Sequence, residues 1–149
     1  MRFFALTAMV AAILAFSQLA KATPIITGGV YEETGGTACQ SAEICVIGFT
    51  KAPAGKILTV SRVSCMALRS VGQYNFTLAV GQFAGQLERV IRPQFVIPVK
   101  ISESSALEMF QANDTIQLTI KDRRPAVSLY TFGSHVTISI QCTVIGRLQ

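Results

Sequence analysis

The sequence predicts an all-β domain, an antiparallel sandwich or barrel. Three observations carry that expectation. Apolar and polar residues alternate with a period of two in one stretch after another, the spacing that sets one row of side chains on a core and the next toward water. Glycine, proline, asparagine and aspartate collect between those stretches, where chain reversals need them. Almost nothing after the N-terminal apolar run holds the 3.6-residue period of an amphipathic helix. The clearest alternation closes the chain. Val136, Ile138, Ile140, Cys142, Val144 and Leu148 share one parity, while Thr137, Ser139, Gln141, Thr143 and Arg147 take the other, broken only by Ile145.

The N-terminus reads as a secretory signal peptide spanning residues 1–22. Met1-Arg2 is a short positive end, Phe3 to Phe16 is apolar, and Ala20-Lys21-Ala22 is a small-x-small cleavage site. The apolar run is shorter than the ~20 residues a spanning helix needs. Cleavage after Ala22 leaves one domain of ordinary size, and no later stretch is apolar enough to span a bilayer. It also removes Arg2 and Lys21 from a formal charge of +5. The balance that remains is mild and does not argue for nucleic acid. All four cysteines, Cys39, Cys45, Cys65 and Cys142, survive cleavage. An even count in an exported chain points to two disulfides in an oxidising compartment. Zinc is the weaker reading, because there is no C-x-x-C and His135 is the only histidine.

Residues 23–50 read as an N-terminal entry segment with a small cysteine loop, and 51–149 as the sandwich. Thr23 to Gly36 carries Pro24 and four glycines and reads as loose chain, with a short strand at Ile25-Ile26. Lys51 to Lys56, with Pro53 and Gly55, is a turn. Ile57 to Ala67 is a long strand whose apolar parity changes from Leu58 and Val60 to Val63, Cys65 and Ala67, so a bulge or bend belongs near Ser61-Arg62. Phe76, Leu78 and Val80 alternate in the next strand. Leu87 to Arg92 is a short one. Phe95, Ile97, Val99 and Ile101 alternate across another, and Pro98 inside it marks an edge or a bulge. Ser102 to Gln111 reads as a loop with at most a helical turn or two. Ala112-Asn-Asp114 turns the chain into a strand from Thr115 to Lys121. Lys121 to Pro125 is a charged turn, Val127 to Phe132 a strand, and Gly133-Ser134 a tight connection into the last strand.

Gly55-Lys-Ile-Leu-Thr-Val-Ser-Arg-Val-Ser-Cys65, Ala112-Asn-Asp-Thr-Ile-Gln-Leu118 and Thr137-Ile-Ser-Ile-Gln-Cys-Thr-Val-Ile-Gly146 resemble strands of small jelly-roll β-sandwich proteins that bacteria secrete. The resemblance covers Lys51 to Gly146. It implies export and an antiparallel sandwich of jelly-roll type with seven to nine strands, and it brings no site residues. In such a sandwich the first long strand commonly lies antiparallel beside the last. Cys65 and Cys142 both sit on the apolar parity of those strands, so the resemblance favours Cys65 with Cys142 and Cys39 with Cys45. The other two connectivities stay open at this point.

No set of residues amounts to a reaction centre. A Ser-His-acid triad would need His135, a lone histidine at a hairpin end, and there is no G-x-S-x-G elbow. The acids from Glu32 to Asp122 lie mostly in predicted turns or beside basic residues, which suits a solvated surface better than a paired-carboxylate hydrolase. Asn113-Asp114 suits an Asx turn better than a calcium loop. Lys121, Arg123 and Arg124 could touch an anionic envelope surface or acidic glycan, although a charged hairpin tip that keeps an edge soluble explains them better. For a carbohydrate site the amphipathic rings are Tyr31, Tyr74 and Tyr130, with no tryptophan in the chain, while Phe76, Phe95 and Phe132 fit inward positions. Asn75-Phe-Thr77 and Asn113-Asp-Thr115 match the glycosylation acceptor pattern. The expectation is a secreted or periplasmic, non-catalytic binding or structural protein without a cofactor, its ligand and partner unidentified by the sequence, with a glycan or envelope surface component as the candidate. A carbohydrate-binding module, a small hydrolase and a self-assembling envelope component are the alternatives.

Overall fold

A computed structural model describes residues 23–40, 44–70, 76–83, 90–131 and 137–149. The expected signal peptide, Tyr74, Phe132, His135 and the expected Asn75 acceptor lie outside the described residues. Ten strands are described: β1 (Ile25–Thr27), β2 (Val30–Gln40), β3 (Ile44–Gly48), β4 (Ile57–Ser70), β5 (Phe76–Phe83), β6 (Val90–Val96), β7 (Val99–Glu103), β8 (Leu107–Lys121), β9 (Pro125–Thr131) and β10 (Thr137–Leu148). They form a six-stranded sheet, β1-β2-β10-β4-β8-β7, and a four-stranded sheet, β3-β9-β5-β6. All pairings are antiparallel, and four of them nest: β2 with β10, β3 with β9, β4 with β8, and β5 with β6.

Period-two patterning decides which face of each strand turns inward. Ile138, Ile140, Cys142 and Val144 of β10 are buried beside Leu58, Val60, Val63, Cys65 and Ala67 of β4. They meet Leu78, Val80, Val127 and Leu129 of the opposing sheet in one core. The parity change in β4 is a bulge. Ser61 is the extra residue against β10, between the pairs Val60–Gly146 and Arg62–Ile145. Gly146 fits there because a Cβ would stand 2.5 Å from the Thr59 carbonyl oxygen. Across the other side of β4, register also shifts between Val60 and Arg62. The bulge lets two out-of-phase halves of one strand face the same core.

Both disulfides join the favoured partners. Cys65 and Cys142 lie directly opposite each other in the β4–β10 register, and Cys39 and Cys45 link β2 to β3. The first bridge ties neighbouring strands within the large sheet. The second ties the large sheet to the small one.

Four sequence readings are corrected. Thr23 to Gly36 is not loose: Gly28 and Gly29, at φ 58° and 79°, turn β1 into β2, and β2 pairs with β10 along Val30 to Gln40. Glycine pairs with positive φ are the favoured two-residue hairpin. Ser102 to Gln111 is a hairpin rather than a loop with helical turns. Ser104 closes it, its hydroxyl accepting from the Leu107 amide at 3.0 Å. Ala112-Asn-Asp114 does not turn; these residues lie inside β8, paired with Cys65, Ser64 and Val63. Pairing with β4 satisfies a backbone that the Asx turn would have served, so neither the turn nor a calcium loop forms there. Finally, Phe95 to Ile101 is two strands. The chain leaves one sheet at Val96 and joins the other at Val99, because Pro98 donates no ladder hydrogen bond and ends the pairing.

Candidate functional site

The sandwich has two lateral sides, and each holds a buried carboxylate. Both carboxylates run against the expectation of a solvated acid surface. Tyr31 and Glu33 are two apart on β2 and therefore share its inner face. Glu33 is 3% exposed and Tyr31 is wholly buried. The Tyr31 hydroxyl donates to Glu33 and stands 3.0 Å from the Thr50 carbonyl oxygen. The Thr50 amide donates to Oε2 at 2.7 Å, and its hydroxyl to Oε1 at 3.0 Å. Burial first, and the Glu33 carboxylate second, push the Tyr31 phenol far above its ordinary value. Neutral donors thus hold this charge inside a closed wall, which the Cys39–Cys45 bridge also spans. The arrangement is structural, and it removes Tyr31 from the candidate ligand-binding rings.

The opposite side is open. It lies where β6 gives way to β7, and its lower part is laced by amides. Gln94 donates to the Gln117 carbonyl at 2.9 Å, and Gln82 to the Thr119 carbonyl at 3.0 Å. Above them is a cleft of about 300 Å³ lined by Arg69, Phe76, Thr77, Phe95, Val96, Ile97, Pro98 and Phe110. Arg69 belongs to the inward parity of β4 and Glu108 to that of β8, and the two are paired in register. The Arg69 Nε donates to Glu108 Oε2 at 2.6 Å. Its guanidinium lies 4.7 Å from the centre of the Phe110 ring and 5.9 Å from that of Phe76, near enough for cation–π attraction. The two rings meet edge to face at 5.0 Å. Lys100 reaches Glu103 at 2.6 Å and Glu108 at 3.4 Å. The hydrogen bond donated by Arg69 holds the Glu108 carboxyl below the usual carboxylate range, and the one Lys100 donates to Glu103 raises the Lys100 ammonium.

The cleft is lined by Arg69 together with the rings of Phe76 and Phe110, and its lip is apolar. Phe95 is 65% exposed and Ile97 80% exposed. Val99 and Ile101 continue the row along β7, also exposed. This corrects the inward placement of Phe95. Phe95 pairs with Ala79 on the outer parity of the small sheet, while Val96 turns inward. Large apolar side chains left in water along one contiguous strip mark interaction sites more often than chance exposure does. The cleft was missed in the sequence because its residues come from β4, β5, β6 and β8. The one available signal was the alternating apolar row interrupted by Pro98.

The remaining sequence candidates do not converge. Arg123 and Arg124 are exposed in the turn after β8, and Tyr130 is half-buried on the outer parity of β9. Among the described residues, no helix is long and apolar enough to cross a membrane and no group of three metal-ligating side chains occurs. No family model, curated protein or solved structure matches the chain.

Proposed function

We propose that the protein is an exported, non-catalytic binding protein of jelly-roll type whose open corner takes a small apolar ligand or an apolar ligand group. The observation that carries this is the cleft itself, an aromatic-walled space whose rim exposes Phe95 and Ile97. Its size is at the lower end of the range that small-molecule sites occupy. Covering either side chain would contribute about 1.5–3 kcal/mol. The nested strand pairs support the jelly-roll reading, since a long antiparallel hairpin rolled into two sheets pairs its first strand with its last. Two disulfides support export to an oxidising compartment, secreted or periplasmic.

Edge-to-edge self-assembly is the less favoured role. The open-side edge strands carry the devices that block strand addition: Pro93 after Arg92 at φ 52° on β6, and a register shift beside Lys100 on β7.

Titration with a neutral naphthyl fluorophore tests the site. Saturable one-to-one binding is expected, weakened about tenfold by Phe95→Ser or Ile97→Ser, with thermal unfolding unchanged. Absence of binding by the native protein, or equal binding by both variants, would remove the reading. Export has its own test in intact mass before and after alkylation. Protein from its native compartment should show no free thiol, and four free thiols would contradict it.

A further inference from the structure

A second surface, which meets the apolar row beside the cleft only at Val99, carries a ligand chemistry of its own. It is the outer face of the six-stranded sheet. Register aligns its outward side chains in rows across the strands. One row runs Thr34, Thr143, Ser64, Asn113, and the next runs Gly36, Gln141, Met66, Gln111, Val99. Beyond them lies Ala38, Ser139, Leu68, Met109, Ser102. None of these positions is charged. Folded surfaces ordinarily place Lys, Arg, Glu or Asp at about 25–35% of positions. The charges on this face, Glu32, Arg62, Arg147 and Lys121, lie beyond these rows toward one end.

A depression of about 190 Å³ sits within the rows, lined by Ser64, Cys65, Met66, Gln111, Gln141 and Thr143. Met66, 47% exposed, supplies its large apolar side chain. Gln111 and Gln141 flank Met66 in register on the two neighbouring strands. Thr143 shares a 2.8 Å hydroxyl contact with Thr34. The Gln111 and Gln141 amides and the Ser64 hydroxyl have no hydrogen-bond partner among the described residues. Each amide offers two donors and an acceptor, and the hydroxyl offers one donor and two lone pairs. The surface therefore combines polar groups of both senses, a polarizable apolar side chain and no net field.

We infer that this depression is a subsite for a neutral glycan, seating one sugar ring. A sugar has the complementary pattern: an apolar face of C–H groups for Met66 and a rim of hydroxyls that donate and accept for Gln111, Gln141, Ser64 and Thr143. The absence of charge in these rows gives an acidic glycan nothing to pair with, and so selects against it. Binding without ion pairs should be insensitive to salt.

The test is an array of neutral and acidic oligosaccharides probed with the oxidised protein at low and high salt. Gln111→Ala, Gln141→Ala and Met66→Glu variants are run in parallel. Both disulfides and the thermal transition of each variant are checked, since all three positions are exposed on paired strands and should fold normally. Neutral oligosaccharides should bind at both salt concentrations, and each substitution should weaken binding about tenfold or more. Three results would each overturn the inference: no neutral oligosaccharide bound even at millimolar concentration, binding restricted to acidic glycans and lost in salt, or undiminished binding by the folded variants. None of these outcomes bears on the apolar cleft, which the fluorophore titration tests separately.

Discussion

Where β2 meets β3, a buried carboxylate is held by neutral donors; where β6 gives way to β7, a carboxylate is held by cations beside an open cleft. The two sides solve the same problem, a charge inside a sandwich, in different ways. Glu33 has three donors from two residues, Tyr31 and Thr50. Every partner is part of the wall, so nothing is left for a ligand. Glu108 leans on Arg69, whose guanidinium also forms part of the cleft lining between two rings. The closed side spends its polar groups on the fold. The open side leaves apolar side chains uncovered that the fold does not need. The proposed binding role rests on that contrast.

The contrast can be broken at several points. The two disulfides should differ most. Cys65 and Cys142 are 77 residues apart and Cys39 and Cys45 only 6, so chain entropy alone predicts losses of about 4 and about 2 kcal/mol for the paired alanine variants. Denaturant unfolding measures both, and equal losses would mean that loop length is not what matters. Next, Glu33→Ala leaves the Thr50 amide and hydroxyl without their acceptor and the Tyr31 hydroxyl with the Thr50 carbonyl alone, and should cost about 3 kcal/mol. Ile97→Ser on the open side should change stability by no more than about 0.5 kcal/mol. If Ile97→Ser destabilised as much as Glu33→Ala, the open side would be part of the core after all.

Opposite pH limits should separate the sides as well. The Tyr31 phenol titrates far higher folded than unfolded. Its contribution is complete below the unfolded value of about 10 and is lost as pH rises beyond it, because only the unfolded chain releases the proton. Glu108 is shifted downward; its contribution is present above the ordinary carboxylate value and is lost as pH falls through the folded one. Tyr31→Phe should flatten the alkaline limb of a stability–pH curve and leave the acid limb in place, while Glu108→Gln should do the reverse. The smallest effect is at Ser128, wholly buried on β9 with a hydroxyl that has no hydrogen-bond partner among the described residues. Ser128→Ala should stabilise by about 1 kcal/mol in the same denaturant assay.

The difference between the sides also explains what could be read from the sequence. The last strand and its partner were legible because their alternation is strict, and the bulge was legible because the parity of β4 visibly changes. Strand β2 was not, since Gly35 and Gly36 resemble turn residues until β10 supplies a ladder for them. With β2 unread, Tyr31 and Glu33 could not be placed on one inner face. Asn113 and Asp114 misled for the same reason: local turn chemistry lost to pairing with β4. The open cleft was beyond reach, because its lining joins Arg69 and Phe110 from strands adjacent only in the folded sheet. Phe95 misled because an alternating apolar row ordinarily faces a core, and here it faces water.

The central claim is that ligand enters at the β6–β7 corner. Amide chemical-shift mapping of the oxidised protein with a neutral naphthyl probe tests it most directly. The account predicts perturbations confined to Thr77, Phe95 to Ile97, Phe110 and Arg69, with Tyr31, Glu33 and Thr50 silent. Perturbations centred on β2 and β3, or spread evenly over both sheets, would contradict it.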